Sequence, residues 1–248
     1  MQYRHLTENE YADLAARILY EDNHLLVFDK NVGEIVQGDK TGDEPLSETL
    51  KAFIAQRDGK PGQVFLGVPH RLDRPVSGVT VFAKTSKALE RLSSLFRDGG
   101  VHKTYWALCC AAPAEKEGVL ENWLVRNEKM NKSFVTDAPG RSRDAKLARL
   151  AYRHLADTDR YHLLEVELFT GRHHQIRCQL AHIGCPIKGD LKYGAPRSNP
   201  DGGICLLARN IRFIHPVRHT EIDVTAGVPA SWHFAGTAAA SSRSESRP

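Results

Sequence analysis

Strand-like stretches recur along this chain, and several are joined by turns too short to hold a helix. ILYEDNHLLVFDK reads as two short strands joined at Glu21-Asp22-Asn23. VTVFAK follows Gly78, and VHKTYWALCC, Val101 to Cys110, is rich in aromatic and β-branched residues. YHLLEVELF alternates, with His162, Leu164, Val166 and Leu168 on one face and Glu165 and Glu167 on the other. ICLLARNIRFIHP and EIDVTA add strand-like pieces near the C-terminus. Helices interrupt these strands without a regular βαβ rhythm. That pattern predicts an α+β fold on a mixed, mainly antiparallel central sheet flanked by helices.

The helices carry their own signals. Thr7-Glu8-Asn9-Glu10 fits a capping box, predicting a helix that ends near Arg17. Ser47 to Arg57 places Leu46, Leu50, Phe53 and Ile54 on one face. Thr85 caps a helix to about Arg97, with Ala88, Leu89, Leu92, Leu95 and Phe96 as its apolar face and Gly99-Gly100 as its stop. His173 to His182 reads as a helix with Ile176, Leu180 and Ile183 in register, ended by Gly184. Val119 to Asp144 is polar and basic, and reads as hairpins and loops. The expected organisation is a helical extension over 1–17, one main domain over 18–234 and a disordered tail over 235–248, where AGTAAASSRSESRP is low in complexity.

The 248 residues, 41% hydrophobic and 26% charged, have an ordinary globular composition. No apolar run approaches the ~20 residues of a membrane span, and the polar N-terminus lacks the apolar core of a secretory signal. Cys109, Cys110, Cys178, Cys185 and Cys205 include no C-x-x-C pair, so reduced, buried thiols and a cytoplasmic location are expected. A net charge of +4 is compatible with a polyanionic partner.

Three stretches could carry chemistry. In PHRLDRPVSG, Asp73 sits between Arg71 and Arg74 at the mouth of a strand. Such a carboxylate is held ionised, either as a surface ion pair or as a nucleophile or base. In GRHHQIRCQLAHIG, Arg172 lies at a helix start, and Arg177 lies one turn further in beside apolar neighbours. An arginine on that inner side either snorkels or needs a buried anion. His173, His174 and His182 match no common ligand spacing, so no metal is expected there. Tyr105 in VHKTYWALCC is either a sheet residue or a stacking platform, with Lys103 on the same strand face.

Taken in order, HRLDRPVSGVTVFAKT, VHKTYWAL and LFTGRHHQIRCQLAHIGCPIKGDLKYG resemble the signature of the RluA-type pseudouridine synthases. YEDNHLLVFDK and KLARLAY extend the resemblance from about Ile18 to Val224. The chain departs from the family pattern at Asn31, where a proline is usual after Lys30, and at Val76 and His173, where threonine is usual. With only residues 1–17 ahead of the first matching strand, no N-terminal S4-type RNA-binding domain is expected.

The resemblance implies an isomerase that converts uridine in ribosomal or transfer RNA to pseudouridine, with an active-site cleft across the sheet. It assigns the catalytic carboxylate to Asp73, the stacking tyrosine to Tyr105 and the partner of the aspartate to Arg177. Leu72 and Ile176 would wall the flipped-out base, and Arg71, Arg74, Lys103 and Arg172 would hold flanking phosphates. RNEKMNKSF and GRSRDAK are candidate RNA-contacting segments. No cofactor is implied, RNA is the expected partner, and a monomer free of membrane is expected. The alternative is a non-catalytic RNA-binding or remodelling protein of the same fold.

Overall fold

The computed structural model describes residues 3–39, 41–59, 62–136 and 144–232. The tail read as disordered, 235–248, lies outside them, and so does Gly140 to Arg143 of the GRSRDAK segment. In chain order the elements are α1 (Glu8–Ala16), β1 (Ile18–Glu21), β2 (Leu25–Lys30), α2 (Leu46–Asp58), β3 (Ser77–Ala83), α3 (Ser86–Arg97) and β4 (Val101–Cys109). They continue with β5 (Glu117–Asn127), β6 (Lys132–Thr136), β7 (Lys146–Asp157), β8 (His162–Leu168), α4 (Gln175–His182), β9 (Leu206–Ile214) and β10 (Glu221–Thr225).

Local chemistry explains most of the boundaries. At α1 the Thr7 hydroxyl accepts from the Glu10 amide at 3.3 Å, and the Glu10 carboxylate accepts from the Thr7 amide at 2.8 Å. This is the expected reciprocal cap. Thr85 caps α3 in the same way, accepting from the Ala88 amide at 3.2 Å. Gly59 takes the left-handed conformation that ends α2. One expectation needs correction. The last helix begins at Gln175, two residues later than its pattern predicts, because His174 adopts a left-handed conformation (φ 52°). The polar Val119–Asp144 region holds a hairpin, as expected: the eleven-residue strand β5 turns into β6 through Asn131 at φ 46°. Its side chains are half exposed, so it lacks the apolar alternation by which a buried strand is recognised.

The chain divides into two compact units. The first comprises residues up to Lys103, with Pro200–Gly203 and Leu207–Gly227; the second comprises Thr104–Asn199, Ile204–Leu206 and the chain from Val228. In the first unit β2 pairs antiparallel with β1 and with β3, β3 pairs parallel with β9, and β10 pairs antiparallel with β9. α3 lies against β3. Leu25 to Phe28, Val81, Phe82 and Leu92 are fully buried around it. In the second unit β4, β8, β7, β5 and β6 follow one another, every pairing antiparallel. α4 rests on β5 and β6, with Leu124, Ala148, Cys178 and Tyr193 as a shared core. The pairing is therefore mixed and mostly antiparallel, as expected. Among the described residues no helix is long and apolar enough to cross a membrane.

The parallel contact between β3 and β9 depends on Gly78. Its φ is +109°, and a Cβ there would lie 2.3 Å from the Ala208 carbonyl oxygen. Neither the backbone angle nor the backbone neighbour can yield cheaply. Gly78→Ala is therefore expected to destabilise the protein by about 2–4 kcal/mol in a urea titration. An unchanged midpoint would show that the strands part without cost.

Candidate active site

The loop bearing Asp73 belongs to the first unit and leads directly into β3. Leu72 is buried, Asp73 is half-buried, and Arg71 and Arg74 are exposed. Asp73 starts a turn in which its carbonyl accepts from the Val76 amide at 3.0 Å. Arg74 forms an exposed 2.7 Å ion pair with Asp43, so this arginine braces the preceding loop.

Lys30 fixes the loop from below. It ends β2 with no exposed surface, and its ammonium donates to the carbonyls of Asn31 (2.9 Å), Arg74 (3.2 Å) and Val76 (2.6 Å). Three donors thus meet three backbone acceptors, of which the Arg74 carbonyl also accepts from the Gly33 amide at 2.9 Å. Burial pushes the Lys30 pKa down to about 8, and the charges of Glu34 and Asp73 oppose that fall. The alternation of LLVFDK already places Lys30 on the inward side with Leu26 and Phe28. A buried lysine at a strand end was the available signal, and sequence reasoning gave it no role.

His70, in the same loop, is also structural. Its Nε2 accepts from the Val81 amide at 2.9 Å, and its ring stacks on Phe96 at 4.3 Å. Burial drives its pKa down to about 3, so it stays neutral and keeps that acceptor. Lys103 is half-buried, with its ammonium 6.0 Å from the centre of the Phe96 ring. Burial lowers its pKa.

The second unit holds Tyr105, Arg172, Ile176 and Arg177. Tyr105 is buried on β4, opposite Val166 of β8. Ile176 and Arg177 are buried at the start of α4. Of the two readings the sequence leaves for Arg177, a snorkelling side chain or a buried anion, the second describes its environment, and the anion is Asp190, which the sequence reading did not name. Arg177 Nε donates to Asp190 Oδ2 at 2.7 Å, and Nη2 donates to Oδ1 at 2.9 Å. Both side chains are almost wholly enclosed, and the guanidinium lies 5.1 Å over the Tyr193 ring. This bidentate geometry suits arginine and not lysine. Asp190 and Tyr193 sit in the quoted GDLKYG, but nothing local marks them as partners of a residue thirteen positions earlier.

The turn before α4 is held by Gln175. Its side-chain oxygen accepts from the Arg172 amide (3.0 Å) and the Thr170 hydroxyl (2.7 Å), and its amide donates to the Arg149 carbonyl (3.1 Å). Arg172 is exposed, and its Nε donates to the Leu147 carbonyl at 2.9 Å. His173 contacts Ser133 and Asn131, and it stacks on His174, whose Nδ1 meets the Tyr193 hydroxyl at 3.0 Å. These two histidines knit α4 to the β5–β6 hairpin. Burial, reinforced by the nearby Arg177 charge, holds His174 far below the usual histidine range.

The family model for RNA pseudouridylate synthase matches residues 24–182, which include Asp73, Tyr105 and Arg177. The chain is 31% identical to a tRNA pseudouridine synthase C of Vibrio parahaemolyticus, over 89% of this chain and 94% of that one. It is also 31% identical to a ribosomal large subunit pseudouridine synthase C of the same organism, over 88% of this chain and 67% of the relative. The solved structure of human RNA pseudouridylate synthase domain containing 4 is 26% identical, with a TM-score of 0.74 over 90% of this chain and 92% of that one. The chain belongs to the RNA pseudouridylate synthase family, in its RluA-type branch, and is an isomerase.

Lys30→Met should cost about 2–4 kcal/mol of unfolding free energy, since carbonyls enclosed in the loop lose their donor. Asp190→Ala should cost about 3–5 kcal/mol, because it removes the bidentate partner of a buried guanidinium. Chemical denaturation measures both, and a loss under 1 kcal/mol in either variant would refute the corresponding account.

Proposed function

We propose that the protein isomerises uridines in ribosomal or transfer RNA, with Asp73 as the catalytic carboxylate. Its place in HRLDR, within a chain whose family membership spans that motif, carries the reading. In this reaction the bond from C1′ to N1 breaks, the uracil turns, and C1′ rejoins at C5. The C5 proton is lost and N1 gains one, so the product is an isomer. Each route open to the aspartate uses the same ionised oxygen: attack on C1′, attack on C6, or removal of a sugar proton. The target uridine is flipped out of its stack to reach it.

In this reading Arg177 pairs with Asp73, as the resemblance implies, and Asp190 holds the guanidinium in orientation. Tyr105 offers the detached uracil a flat face, walled by Leu72 and Ile176. Arg71, Arg74, Lys103 and Arg172 contact the flanking backbone. RNA recognition also uses the tip of the β5–β6 hairpin, where Arg126 and Lys129 are exposed. Among the described residues neither side chain makes a hydrogen bond like the one between Arg172 and the Leu147 carbonyl.

Asp73→Asn should lower pseudouridine formation by at least about 1000-fold, read by chemical mapping or mass spectrometry of a uridine-bearing RNA, with RNA affinity little changed. Full activity in that variant would leave the non-catalytic RNA-binding reading. Replacing Arg126 and Lys129 together by Ala should weaken RNA binding and reduce the salt dependence of log K by about 2. An unchanged salt slope would remove the hairpin from the interface.

A further inference from the structure

At the far end of the β7–β8 pair, three side chains that the isomerisation does not use converge on one point. His154 Nε2 lies 2.8 Å from Asp157 Oδ1, and His162 Nδ1 lies 2.5 Å from the same oxygen. One donor atom from each residue falls within 4.8 Å of the other two.

A bulge brings them together. His154 and Asp157 are three positions apart, and a regular strand would point them to opposite faces. The register of β7 against β8 slips between His154, opposite Leu164, and Ala156, opposite Leu163. The extra residue restores Asp157 to the face of its partner His162, which is also the face of Leu164 and hence of His154. The turn beyond is tied off by the Thr158 amide to the Tyr161 carbonyl at 2.8 Å and by the Tyr161 amide to the Thr158 hydroxyl at 3.0 Å. The imidazoles are well covered, at 15% and 26% exposed, whereas the carboxylate is 61% exposed, which leaves an entry from solvent.

We propose that His154, Asp157 and His162 bind one divalent transition-metal ion of the zinc class, with water in the fourth position, clipping the β7–β8 hairpin. Two imidazoles and one carboxylate suit zinc and its neighbours, and they disfavour calcium and magnesium, which take oxygen ligands. Tetrahedral bonds of about 2.0–2.2 Å need ligand atoms roughly 3.3 Å apart. Against the observed 2.8 Å and 2.5 Å, the two contacts would open by about 0.5 Å and 0.8 Å, within reach of side-chain rotation. In the metal-free state each imidazole nitrogen faces the carboxylate through a proton. On metal binding that proton moves to the ring's other nitrogen, so a neutral imidazole releases none.

The test is equilibrium binding of Zn²⁺ to the full chain against a competing chelator, with Co²⁺ absorption reporting the geometry. Wild type should bind one tight equivalent and show tetrahedral Co²⁺ bands. His162→Ala should weaken that binding by on the order of 100-fold or more. Asp157→Asn, nearly isosteric and checked for folding by circular dichroism, should weaken it as well. His182→Ala, which alters an exposed histidine at the end of α4, should leave it intact. The absence of a tight equivalent in wild type, or unchanged affinity in both site variants, overturns the proposal.

Discussion

The loop that carries Asp73 depends on the buried ammonium of Lys30. A charged group without exposed surface is costly unless every donor is met, and here all three donors reach backbone carbonyls around the loop. The exchange is mutual. Carbonyls at a strand entrance need donors, and the lysine needs acceptors. The lowered pKa of Lys30 records the residual cost of its burial. Gly78 completes the arrangement by letting β9 approach closer than any side chain permits, immediately after the loop.

The second unit solves a similar problem with opposite charges. Arg177 and Asp190 bury each other, Tyr193 covers the guanidinium, and the Tyr193 hydroxyl links the pair to Ser133 and His174. The result is a connected polar network under α4. Such a network is worth more intact than in part, since losing one member strands the others. The pair adds little net stability over an apolar core of the same volume. Its use is to hold one arginine in one orientation.

The strands and helices were largely legible, because alternation, caps and glycines act within a few residues. Thr7 and Thr85 each do what their local sequence predicts. The pattern starts α4 two residues early because no local residue type marks the left-handed turn at His174. The β5–β6 segment was legible as a hairpin, but its half-exposed faces hide the length of the strand. The motifs singled out Asp73, Tyr105 and Arg177 as candidates, and the sequence offered a buried anion as one of two surroundings for Arg177 without pointing to Asp190. The supporting residues Lys30, His70, Gln175 and Asp190 went unassigned.

The sequence by itself determined the family, the alternation of the strands, the helix caps and the residues offered for chemistry. These are properties of short segments and of motifs kept in order. Only the tertiary structure decided which charges are buried and what each one meets. Arg172 and Arg177 lie five residues apart in the same motif, yet one is exposed and bonded to a strand carbonyl while the other is enclosed against Asp190. His154, Asp157 and His162 share a face only because one residue of β7 bulges. Burial and cross-strand register depend on chain segments remote in sequence, and no local pattern encodes them.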